Sequence, residues 1–147
     1  MSSSAAPARP GAPPHALPDL LSQVENLVSR RVEAALGPDG PNLDQWRVLT
    51  LLADGTGHPM SEIAAHAMVP APTLTKIVDR LVDRALVYRR VDDADRRRVL
   101  VFLSEHGRAE HERLTPAVAE VGESLTVGLG TEAGLLAMLL ERLRTLP

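Results

Sequence analysis

Apolar positions along the chain follow two rhythms. Leu17, Leu21, Val24, Val28 and Ala35 recur at the spacing of an amphipathic helix, which ends at Gly37-Pro38, with further breakers at Gly40 and Pro41. Asn42 or Asp44 caps a second helix carrying Trp46, Val48, Leu49, Leu51 and Leu52, and Asp54-Gly55 stops it. His58-Pro59-Met60-Ser61-Glu62 opens a short third helix, with Pro59 in its first turn and Ile63, Ala64 and Ala67 as its apolar side. Met68-Val69-Pro70 breaks that helix. A fourth runs from about Ala71 to Arg84, and its stripe Leu74, Ile77, Val78, Leu81 and Val82 keeps the i, i+3, i+4, i+7, i+8 order of one buried face.

The rhythm then changes to β-prone runs. Leu86-Val87-Tyr88-Arg89-Arg90-Val91 and Val99-Leu100-Val101-Phe102-Leu103 flank the polar run Asp92 to Arg98, which predicts a hairpin with a charged loop. Ser104 caps a long helix whose stripe is Leu114, Val118, Val121, Leu125 and Leu129. Thr131 caps a last, leucine-rich helix. Residues 1–14 are small, proline-rich and without periodicity, and read as a disordered tail. The predicted fold class is mainly α with a small β-hairpin.

Composition narrows the chemistry. Cysteine is absent, which excludes disulfides, thiol catalysis, thiolate zinc sites and cysteine-based peroxide sensing. No stretch approaches the ~20 apolar residues needed to cross a bilayer, and the start lacks the basic-then-apolar order of a signal peptide, so the expected location is cytoplasmic, away from membranes. Net charge is −3, yet it is unevenly spread: residues 70–100 hold 8 basic against 5 acidic residues, while 1–69 and 101–147 each hold 4 against 7. A basic middle between acidic ends is a localised anion-binding surface or a solvated face.

The order of residues decides between these. Two short helices joined by a tight turn and followed by a hairpin make a winged helix-turn-helix, in which the second helix buries one stripe and presents the other face to the DNA major groove. That free face holds Thr73, Lys76, Asp79, Arg80 and Asp83. Arg96, Arg97 and Arg98 at the hairpin tip are suited to the backbone or to a narrow minor groove.

Several segments in series resemble the MarR family of transcriptional regulators. Leu43-Asp44-Gln45-Trp46-Arg47-Val48-Leu49 is similar to the helix before the DNA-binding pair, Ser61-Glu62-Ile63-Ala64 to the first helix of the pair, and Leu74 through Val82 to the recognition helix. Leu86-Val87 through Arg90, with Asp92-x-x-Asp95-Arg96-Arg97, resembles strand and wing. Leu103-Ser104-Glu105-His106-Gly107 resembles the start of the dimerisation helix. The resemblance spans roughly residues 43–114. It implies that Asp95 shapes the wing, that Arg97 reads the minor groove, and that the first, fifth and sixth helices interlock in a homodimer on a palindromic site in double-stranded DNA. It also implies a repressor released by a small anionic or phenolic ligand. Two positions depart from the family: Pro70-Ala71-Pro72 replaces a hydroxyl- and lysine-rich start of the recognition helix, so readout leans on Thr73, Lys76, thymine methyls and the wing, and Ala85 stands where glycine is common. A left-handed backbone there would cost alanine ~1 kcal/mol.

Individual residues keep more than one reading. Arg80 either braces the wing through Asp95 or contacts phosphate. Thr75 is expected to be half-buried and to touch phosphate. Trp46 is core, or lines an effector pocket between the dimer helices and the DNA-binding lobe. The histidines lack metal-ligand spacing and read as surface residues, with no metal or other cofactor expected. No enzyme signature is found: Gly122-Glu123-Ser124-Leu125-Thr126 lacks the second glycine of a nucleophile elbow. The expected division is a dimerisation region of residues 15–41 and 105–147 around a winged helix-turn-helix at 42–104. The rival is a winged-helix module that binds protein instead of DNA.

Overall fold

The structure, a computed structural model, describes Pro13 and residues 16–147; the predicted tail, Pro13 apart, lies outside the described residues. Six helices and three short strands follow in the order α1 (Leu17–Leu36), α2 (Leu43–Leu52), β1 (His58–Pro59), α3 (Met60–Ala67), α4 (Ala71–Asp83), β2 (Val87–Val91), β3 (Val99–Leu103), α5 (Glu105–Leu129) and α6 (Ala133–Arg144). Asn42, rather than Asp44, caps α2: its side chain accepts from the Gln45 N–H at 2.8 Å while the Gln45 side chain accepts from the Asn42 N–H at 3.1 Å.

One core organises the middle of the chain. Val48, Leu49 and Leu52 of α2, Ile63 and Ala67 of α3, and Leu74, Ile77, Val78 and Leu81 of α4 pack with Leu86, Val87, Val101 and Leu103. Each buried valine, leucine or isoleucine among them contributes about 1.5–3 kcal/mol. Val82, placed on the stripe by spacing, is only half-buried.

Three expectations change. His58-Pro59 does not begin α3; it forms a strand pairing with Leu100 and Val101, so the hairpin becomes a three-stranded sheet in the order β1-β3-β2. A two-residue strand has no periodicity to detect. Thr131 lies inside a 3-10 turn (Gly130–Glu132), and Glu132 precedes α6 with no side-chain cap. The span Glu105–Arg144 contains a stretch of mean hydropathy 1.2, long and apolar enough to cross a membrane by length and composition. The expectation that no stretch suffices is thereby corrected: leucine, valine and alanine keep the mean high although glycine, threonine and a few charged residues interrupt them. Gly130, at φ 59°, divides that span into two helices.

Two helix ends rely on residues in the left-handed region. At the end of α4 the Ala85 N–H donates to Val82 and the Leu86 N–H to Leu81, a Schellman pattern with Ala85 at φ 58°. This turn aims the Ala85 carbonyl at the Ser104 hydroxyl, which donates to it at 2.6 Å and accepts from the Gly107 N–H at 2.9 Å. Gly107 itself has no room for a side chain: a Cβ there would lie 2.0 Å from the Leu86 carbonyl oxygen. Met68 repeats the left-handed ending after α3, at φ 56°.

His58 is buried, contrary to the surface reading. Its Nδ1 lies 2.6 Å from Glu62 and its Nε2 2.7 Å from Asp54. Both ring nitrogens face carboxylate oxygens, and only the imidazolium donates from both. Burial opposes that charge, but hydrogen bonds to Glu62 and Asp54 outweigh it and raise the pKa above the ordinary histidine value. Asp54 is held below its usual range, chiefly by the Thr56 N–H and, against some burial, by His58.

Two outcomes test these points. Ala85→Gly relieves a left-handed penalty of about 1–2 kcal/mol, larger than the ~0.5–1 kcal/mol of added chain entropy, so a thermal midpoint ~2–4 °C higher is expected. A raised histidine pKa stabilises fully below the unfolded value near 6.5 and loses that contribution as pH rises through the folded value. Thermal melts at about pH 6 and pH 8 should therefore show wild type losing its advantage over His58→Gln at the higher pH; a constant difference would remove the imidazolium clamp.

Candidate nucleic-acid interface

Burying Leu74, Ile77, Val78 and Leu81 leaves the rest of α4 in solvent. On a 3.6-residue period Pro72, Lys76, Asp79 and Asp83 lie opposite the buried stripe, with Thr73 and Arg80 beside them. All six are exposed, as are Pro70, Ala71 and Thr75. Thr75 thus departs from its half-buried expectation, and its hydroxyl donates to the Ala71 carbonyl at 3.1 Å. The start of α4 has no side-chain cap, and Pro70 and Pro72 bring no N–H.

The wing is ordered by two aspartates. Asp95 accepts from the Arg97 N–H at 3.0 Å through its carboxylate, while its carbonyl accepts from the Arg98 N–H at 2.9 Å. Asp92 accepts from the Ala94 N–H at 3.0 Å, and its own N–H donates to the Arg98 carbonyl at 2.9 Å. These side-chain turns hold Arg96, Arg97 and Arg98 in solvent at the tip. Below the loop, Tyr88 stacks on Phe102 with centroids 5.4 Å apart, and Arg90 lies 4.7 Å over the Phe102 ring.

Helix and wing are tied together by Asp79 and Arg89, whose carboxylate and guanidinium meet at 2.5 Å. One of the two readings of Arg80 paired it with Asp95; among the described residues no ion pair joins those two. The Asp79–Arg89 pair also neutralises one of the two acids on the free face. Sequence reading missed it because the partners sit on different elements. Asp92 stood in the polar run and in the family pattern, and its role in the turn beside Asp95 emerges from the structure.

Behind this lobe, Trp46 is buried with Leu36 and Leu114, against Val32 and Val118, which satisfies its core reading. His111 of α5 stacks on it, with centroids 4.7 Å apart and planes 16° from parallel. The Thr50 hydroxyl lies 3.4 Å from Nε2. His111 is therefore not a plain surface residue. Burial pushes its pKa down, and Arg108 adds to that against the pull of Glu112. Beside the ring opens a cleft of about 350 Å³ lined by Ala53, Arg108, His111, Glu112, Thr115 and Pro116, with Trp46 outside it.

Known proteins share this arrangement. Residues 39–98 match the MarR family profile. The transcriptional repressor IacR of Pseudomonas putida is 31% identical over 113 residues, covering 77% of this chain and 67% of that protein. Another curated HTH-type regulator is 34% identical over 92 residues, and the chain spans 63% of its length. A mutant MarR from E. coli complexed with operator DNA superposes with a TM-score of 0.79 at 28% identity, over 89% of this chain and 94% of that one. NadR in complex with 4-hydroxyphenylacetate gives 0.76 at 26% identity, over 97% and 100%. With its winged helix-turn-helix and its match to these regulators, the chain belongs to the MarR family of transcriptional regulators.

Proposed function

We propose that this protein is a homodimeric, cytoplasmic repressor, without catalytic activity, that covers a palindromic operator and is released by a small aromatic acid. The observation that carries this reading is the uncovered outer face of α4 braced by Asp79–Arg89 to a wing tipped with three arginines. In it, Thr73 and Lys76 meet base edges, Thr75 and Arg80 lie along the backbone, and Arg97 enters the minor groove between Arg96 and Arg98. Asp95 keeps the tip in shape.

Dimerisation is supported by uncovered apolar surface. Leu17, Leu20 and Val24 of α1 and Leu136, Leu139 and Leu140 of α6 line a shared apolar groove and stay exposed, a clustering of large apolar side chains that favours an interface. The reading divides the chain at residues 15–41 and 105–147 for pairing and 42–104 for DNA. Two-fold symmetry then sets recognition helices ~34 Å apart.

The release step rests on the cleft beside His111. Arg108 offers a cation, Ala53 and Pro116 offer apolar walls, and an imidazole kept neutral by burial stacks on Trp46. A ligand wedged between α2 and α5 changes the angle between DNA lobe and dimer helices, favouring a spacing that no longer fits DNA.

Binding to the DNA upstream of the chain's own coding region, across a salt series, tests the first part. Affinity should fall steeply with salt, and Arg97→Ala and Lys76→Ala should each cost ~5- to 30-fold, with the salt slope reduced by ~1 where a phosphate contact is lost. No preference over random DNA, with both variants like wild type, would install the protein-binding module in its place. For the second part, Trp46 is the sole tryptophan. Titrated 4-hydroxyphenylacetate should change its fluorescence and release DNA, and Arg108→Ala should weaken both by roughly tenfold.

A further inference from the structure

We infer that the cleft beside His111 takes its ligand as a carboxylate together with a proton, the anion lying between Arg108 and a His111 ring that becomes an imidazolium on binding. The inference rests on the effector reading above and adds the charge the ligand carries and the proton that travels with it.

Two histidines are packed into the fold, in opposite surroundings. His58 has a carboxylate at each ring nitrogen, at 2.6 and 2.7 Å, and is held charged. His111 lies flat on the Trp46 indole, with centroids 4.7 Å apart, and among the described residues no carboxylate comes within hydrogen-bonding reach of its ring. The charges acting on it come from its own helix, Glu112 and Arg108. From the α2 side it meets Trp46, Thr50 and Ala53, which carry none, and the charged residues of α2, Asp44 and Arg47, pair with each other at 3.5 Å. Burial therefore prevails and the free ring is neutral. What His111 lacks, relative to His58, is an anion.

The cleft is suited to admit one. Arg108 stands one turn before His111, and both line the space of about 350 Å³. The Thr50 hydroxyl, 3.4 Å from Nε2, serves either state, donating to the neutral ring or accepting from the charged one. Nδ1 has no partner, yet among the described residues no buried side-chain nitrogen is left unpaired, so Nδ1 is open to solvent and to a ligand. An anion placed there pairs with Arg108 and favours the imidazolium, as two carboxylates do at His58. The charged ring also gains from the face of the indole, which attracts cations. Glu112, exposed on the cleft wall, repels the anion but draws the proton the same way. A weak acid that enters a cell uncharged and ionises inside supplies anion and proton together, so release is strongest when both arrive.

Calorimetric titration of the whole protein with 4-hydroxyphenylacetate, in two buffers of different ionisation enthalpy, counts the protons exchanged. At about pH 7, roughly 0.5–1 proton should be taken up per subunit. Affinity should fall roughly three- to tenfold between about pH 6.5 and 7.5, a range in which the ligand's carboxyl stays ionised. The uncharged 4-hydroxyphenylacetamide should bind more weakly and without uptake. His111→Gln keeps a polar group beside Thr50 and should bind the acid with no uptake and an affinity independent of pH, whereas His58→Gln should keep the uptake. The wild-type proton count tests the inference even if His111→Gln does not fold. Binding of the acid with no uptake, uptake undiminished in His111→Gln, or equal uptake with the amide overturns the inference and leaves the effector reading standing. If neither compound binds at any pH from about 5.5 to 8, both fall.

Discussion

The burial of one face of α4 governs the rest of the molecule. Leu74, Ile77, Val78 and Leu81 enter a core closed by α2, α3 and the small sheet, and a helix held on that side cannot rotate without exposing them. Its opposite face is therefore fixed in orientation as well as free. The left-handed turn at Ala85 follows from the same constraint. The chain must reverse directly from buried Leu81 to buried Leu86, and the Schellman hydrogen bonds close that distance. Ser104 and Gly107 then seat the start of α5 against this turn, linking the winged lobe to the long helix.

Electrostatics refines a geometry that packing has set. Asp79 on the face proposed to meet DNA would repel phosphate, yet its pairing with Arg89 turns that liability into a brace between helix and wing. Asp92 and Asp95 also place acids near a proposed polyanion site, and both are engaged by backbone N–H groups. Asp79, Asp92 and Asp95 are thus structural, and the wing-tip arginines stay in solvent. A modest local excess of positive charge becomes a directed one.

The apolar surface of α1 and α6 and the cleft beside His111 lie at opposite ends of one mechanical path. α5 runs between them, packed on α1 along one stretch and touching α2 through His111 and Trp46 at another. Pro116 in its interior cannot donate to the carbonyl one turn earlier, which loosens the helix next to the cleft. The proposed ligand would act where the winged lobe and the helices proposed for pairing meet.

Much of this was legible from residues in order. Helices α1, α2, α4 and α5 and the exposed Thr73 and Lys76 follow from periodicity, and the hairpin follows from two β-prone runs around a polar run, because these are local patterns written into neighbouring positions. The strand β1 was not legible, since two residues pair only when β3 arrives beside them. Nor was the clamp on His58, the Asp79–Arg89 brace or the stacking of His111 on Trp46, which lie 65 positions apart. Sequence determined which faces are apolar and which residues form turns. Tertiary structure decided which charged groups meet, because side-chain pairing depends on distances that chain order does not encode.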